Sequence, residues 1–110
     1  MSAEKRERIR TLNDQLRRSH VGGRILLTQG VIAMGPENTV AVLLAIKLAN
    51  DFNEANDPYG EHDFGSVVVS GQRIFWKIDY YDQGLQSHAV DPSDAKSCVR
   101  VLTIMLAEEY

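Results

Sequence analysis

Residues 65–81 constrain the fold more than any other part of the chain. Two β-rich runs, 65–70 and 73–81, are separated by Gly71 and Gln72, and glycine at the first position of a two-residue connection predicts a type II′ hairpin. In the second run Ile74, Trp76, Ile78 and Tyr80 alternate with Phe75, Lys77, Asp79 and Tyr81. Side chains of a strand alternate between faces, so one side of this strand belongs to a core and the other carries groups capable of recognition.

The rest of the 110-residue chain is read around that hairpin. Ile9, Leu12 and Leu16 recur at helical spacing among charged residues, which predicts a basic amphipathic helix from Ser2 to Ser19, ended by Val21, Gly22 and Gly23. Residues 24–34 (RILLTQGVIAM) read as a strand, with Gly30 marking a bulge or a turn that splits it. Gly35, Pro36, Glu37 and Asn38 start a second helix, expected to run to about Asn53 with Val40, Leu43, Leu44, Leu48 and Phe52 on its buried face. Residues 53–63 form the most polar loop, holding the turn signal Asp57-Pro58-Tyr59-Gly60. A third strand of a meander is expected over 85–90. Asp91, Pro92, Ser93 and Asp94 resemble a helix start, and the apolar run 99–107 behind them predicts a third, most buried helix over 92–109.

The result is an α+β domain in the order α-β-α-β-β-β-α, with a mainly antiparallel sheet of three or four strands packed against the second and third helices. An apolar fraction of 44% and a charged fraction of 25% suit one globular domain spanning residues 1–110, with residues 1–20 as a helix peripheral to the core. No apolar run approaches the roughly 20 residues of a membrane span. The charged N-terminus lacks the apolar region of a secretory leader. Cys98 has no second cysteine to pair with, which agrees with a reducing compartment and a cytoplasmic location. Residues 1–24 hold seven basic residues against three acidic ones, a net +4 in a chain whose total is −3. That polarity can guide a partner or draw copies together as a homodimer.

Three segments, DPYGEHDFG (57–65), FWKIDYYD (75–82) and RVLTIMLAEEY (100–110), resemble a bacterial family of small proteins known only as domain of unknown function 3768. The resemblance covers the domain with most weight in its C-terminal half. It implies an accessory role in mobile genetic elements and brings no catalytic residue with it.

Two constellations could carry chemistry. Glu61, His62 and Asp63, with Asp79, Asp82 and His88, could bind a divalent metal or act as an acid/base set, but no metal-ligand spacing such as H-E-x-x-H is present. Phe75, Lys77, Asp79 and Tyr81 project together from one strand face and suit contact with a protein. The bland alternatives are loop-fixing hydrogen bonds for the first set and a helix-covered face for the second. Cys98 is expected as a buried structural thiol, and nucleotide binding has no glycine-rich loop to support it. The leading expectation is therefore a non-enzymatic interaction protein. It binds a protein partner through one common surface made of Tyr59, Glu61, His62 and Asp63 with Lys77, Asp79 and Tyr81, and it needs no cofactor. The rival readings are a small metal-dependent hydrolase using Glu61, His62, Asp63 and Asp79, and nucleic-acid binding through the basic first helix, which the acidic pI of about 5.5 makes the weakest of the three.

Overall fold

A computed structural model describes residues 2–110. Its elements are α1 (Ala3–Ser19), β1 (Gly23–Leu27), α2 (Gln29–Ala33), α3 (Pro36–Leu48), β2 (Phe64–Val69), β3 (Gln72–Tyr81) and β4 (Val99–Leu106), followed by a 3₁₀ turn over Ala107–Glu109. The strands form one sheet in the order β1-β4-β3-β2. β2 and β3, and β3 and β4, pair antiparallel, while β1 runs parallel to β4. The α+β class and the mainly antiparallel four-stranded sheet are those expected from the sequence.

The alternation in β3 organises the core. Ile74, Trp76, Ile78 and Tyr80 are buried, and with Leu102 and Ile104 of β4 they face the helices. Ile9 and Leu16 of α1, Val31 of α2, and Val42 and Ile46 of α3 complete the same cluster. The opposite sheet face, with Lys77, Asp79 and Tyr81, carries no helix.

Several expectations are corrected. Residues 99–106 are not a third helix but β4, a central strand buried on both sides, and a short apolar run of that kind has no periodicity to separate strand from helix. The capping residues before it build turns instead: the Asp91 carboxylate accepts from the Ser93 amide at 3.1 Å and from the Ser93 hydroxyl at 2.5 Å. Residues 85–90 contribute only an isolated bridge from His88 to Tyr81. The hairpin turn is Ser70-Gly71, at φ 51° and 76°, a type I′ rather than a type II′ turn. Residues 24–34 split into β1 and the short helix α2. α3 ends at Leu48 rather than near Asn53, and of the face expected to be buried Leu43 and Phe52 pack against the core beside Val42 and Ile46, while Val40, Leu44 and Leu48 point to solvent. α1 is not peripheral, since Ile9, Asn13, Leu16 and Arg17 are all at most 1% exposed.

Gly65 sits opposite Trp76 in the β2–β3 ladder, and a β-carbon there would lie 2.5 Å from the indole ring. Trp76 is fully buried, so its ring can give way only by disturbing the core packed around it. Gly65→Ala is therefore expected to lower stability by about 1–3 kcal/mol, measured by urea unfolding, through overpacking of the core.

Candidate functional site

The residues singled out from the sequence lie on two sides of the sheet. Tyr59, Glu61 and His62 belong to a loop packed against α1 on the helical side, whereas Lys77, Asp79 and Tyr81 project from the uncovered face. The common surface expected of them does not form. Tyr80 points inward and bonds Glu61, so its neighbours in β3 must point outward. Asp63 is half-buried beside β3, its carbonyl accepting from the Ile78 amide at 2.8 Å.

On the helical side the polar groups hold one another. Asp57 accepts from the amides of Glu61 and His62 at 3.2 Å each, which closes the loop. The His62 imidazole lies between Asp14, at 2.9 Å from Nδ1, and Asp57, at 3.6 Å from Nε2, and stacks on Phe52 with centroids 3.8 Å apart. Arg17 donates to Asp14 at 2.8 Å and to the carbonyls of Ile46 and Ala49 at 2.7 Å each. Those carbonyls lie at the C-terminal end of α3, where the Ile46 oxygen otherwise accepts only a long 3.3 Å bond from the Ala49 amide, so a guanidinium suits them. Burial works against ionisation of Asp14, but the hydrogen bonds and charges of Arg17 and His62 outweigh it and hold the carboxyl below its usual range.

A second buried network joins α1 to the sheet. The Asn13 amide donates to the Tyr80 hydroxyl at 2.7 Å and to the Glu61 carbonyl at 3.0 Å, while its oxygen accepts from Arg100 Nε at 2.8 Å. Arg100 also donates to the Pro92 carbonyl, and its guanidinium lies 5.2 Å from the Tyr80 ring. Burial lowers the Arg100 pKa and raises that of Tyr80. Asn13, Asp14, Arg17 and Arg100 were not among the residues expected to matter. A signal existed for two of them, since Asn13 and Arg17 fall on the helical stripe of Ile9 and Leu16.

The basic residues of α1 are largely engaged within the molecule. Lys5 pairs with Asp91 at 3.5 Å, Arg8 donates to Ser93 O and Arg10 to Gly60 O, and Arg6 lies 6.0 Å from the Tyr59 ring. This lends no support to a phosphate-binding helix. Among the described residues no three His, Cys, Asp or Glu side chains converge as a metal set, so Glu61, His62, Asp63 and Asp79 do not form the ligand group considered for a hydrolase. Cys98 is buried, which pushes its thiol up.

The uncovered face is different in kind. Lys77 pairs with Asp79 at 3.0 Å, and this hydrogen bond raises the lysine pKa. Register places Lys77 beside Thr103 and Asp79 beside Val101, with Arg24 and Leu26 of β1 next across β4. Together with Tyr81 and Leu85 these residues line a shallow depression of about 360 Å³. Leu26 is 53% exposed in it. Farther along, Phe64, Phe75 and Tyr110 cluster with centroids 5.5–5.7 Å apart, Tyr110 meeting both phenylalanines edge to face.

A family model described as protein of unknown function (DUF3768) matches residues 27–109. The chain belongs to this family. Comparison with curated proteins and with solved structures finds no match. The DUF3768 segment contains Glu61, Tyr80 and Arg100, whereas Asn13, which joins them, comes from α1 ahead of it. Among the described residues no helix is long and apolar enough to cross a membrane.

Two carboxylates in this region give opposite pH signatures. The lowered folded pKa of Asp14 means that its stabilisation is complete above the unfolded value, near 3.8, and is lost as pH falls through the folded value. Burial, then the charges of Glu61, Asp57 and Asp79, raise the Asp63 pKa, so its ionisation lowers stability as pH rises past 3.8. Urea titrations are expected to show Asp14→Asn less stable than the parent at pH 7 by about 1–3 kcal/mol, with a gap that narrows in acid. Asp63→Asn is expected to be more stable at pH 7, with its gain vanishing below pH 3.8.

Proposed function

We propose that the chain is a non-enzymatic interaction protein that holds a protein partner on the uncovered face of its sheet. The observation that carries this reading is the depression bounded by Arg24, Leu26, Lys77, Asp79 and Tyr81. It combines an exposed leucine on an edge strand, a ring, and an arginine that has no ion pair among the described residues. An apolar anchor ringed by polar groups is the composition of a protein-recognition surface. The partner it fits offers an apolar side chain to Leu26 and a carboxylate to Arg24.

Tyr59, Glu61 and His62 take a supporting part. They fasten the loop to α1, and this holds Tyr80 and the rest of β3 in place beneath the recognition face. The setting that the family resemblance implies, an accessory protein of bacterial mobile elements, suits a small protein that works by occupying a larger one.

A photoreactive benzophenone side chain at Leu26, introduced in the native host, is expected to cross-link one discrete protein. The cross-link should be lost on Arg24→Glu and retained when the circular dichroism control Glu54→Lys is tested. Cross-linking that is absent, or equal from Leu26 and from a benzophenone at Glu54, would contradict the assignment.

A further inference from the structure

A second surface, on the other side of the molecule, is built for a different contact. α3 turns Val40, Leu44 and Leu48 outward, with exposures of 66, 53 and 66%. Spaced four apart, they form one ridge along the helix. Between this ridge and the C-terminal end of α1 runs an open groove of about 460 Å³, lined by Val40, Leu43, Leu44 and Lys47 from α3 and by Arg18 and His20 from the end of α1. Among the described residues no carboxylate lines this groove. Arg18 and Lys47 make no ion pair among the described residues, whereas Lys5 and Arg17 of α1 pair with Asp91 and Asp14.

We infer that this groove docks an amphipathic helix of a protein partner whose apolar stripe is flanked by Glu or Asp. A helix laid along α3 places side chains at helical spacing against Val40, Leu44 and Leu48, the mode by which grooves between helices take peptides. Acidic residues beside that stripe meet Arg18 and Lys47, which sets orientation and excludes basic helices. A second copy of the chain is the poorer occupant. A two-fold axis at Leu44 would set Val40 against Leu48 of the other copy, but it would also bring both pairs of Arg18 and Lys47 to one seam, where like charges repel. This contact is separate from that at the open sheet face, so a single molecule could join two partners.

Two stapled helical peptides test it, sharing leucines at i, i+3 and i+7 but flanked in one by glutamates and in the other by lysines. Each is titrated into the ¹⁵N-labelled full chain. The glutamate peptide is expected to move the amide signals of residues 18–20 and 40–48, and to bind about tenfold or more tighter than the lysine peptide. Leu44→Asp and Lys47→Glu, both at exposed positions and checked for fold by circular dichroism, should each weaken it about tenfold, while Lys77→Glu leaves it unchanged. Equal affinity for the two peptides, signal changes confined to the sheet face, or no binding would overturn the inference. So would concentration-dependent self-association that moves the same signals without peptide, or binding to phosphatidylglycerol vesicles with none to the peptide.

Discussion

The structure turns on a cation enclosed in the core. Arg100 is 1% exposed on the inner face of the central strand β4, and among the described residues no carboxylate pairs with it. A buried guanidinium is tolerated only when its donors are met, so the surroundings must bring acceptors to it. Asn13 of α1 and the carbonyl of Pro92 do this, and the ring of Tyr80 covers one side. One residue thereby fixes a helix, a turn and a neighbouring strand against one another. The second buried guanidinium, Arg17, extends the arrangement by tying α1 to the last carbonyls of α3.

These two attachments decide which surface is free. α1 and α3 are both held on the inner face, by polar bonds as well as by Ile9, Leu16, Val42 and Ile46. The sheet is left with one covered and one open side, and the same alternation that buries Trp76 and Tyr80 sends Lys77, Asp79 and Tyr81 outward. The loop whose composition offers carboxylates and an imidazole to a ligand instead turns them inward, His62 to Asp14 of α1, Glu61 to Tyr80 of β3 and Asp57 to the loop's own amides. Its polar groups therefore serve the fold, and the side chains left facing solvent on the opposite side are those of the proposed recognition face.

Much of this could be read from the chain, and the failures have physical causes. β3 was legible because it is a strand with one dry face, and period-two alternation reports that directly. β4 was not, because Val101 and Met105 are buried on the outer face as Leu102 and Ile104 are on the inner, and an apolar run without alternation fits a buried helix equally well. Its one polar residue in the core, Arg100, looked like an interruption of a helix. In α3 the apolar positions surround the helix, so composition could not tell the packed face, Val42 and Ile46, from the exposed ridge at Val40, Leu44 and Leu48. The polar loop was located correctly, but which way it faced depends on the contact of His62 with Asp14, 48 positions away in the chain. Long-range pairing of that sort leaves no local trace.

Tied to the sheet by Asn13 and to α3 by Arg17, α1 forms one cooperative unit with the sheet rather than a helix resting upon it. Native-state amide hydrogen exchange addresses this directly. The amides of residues 13–17 are expected to exchange with the same free energy as those of the β3–β4 ladder, because opening one requires opening the other. Exchange from α1 at a free energy well below that of the ladder would show a separately melting helix and contradict it.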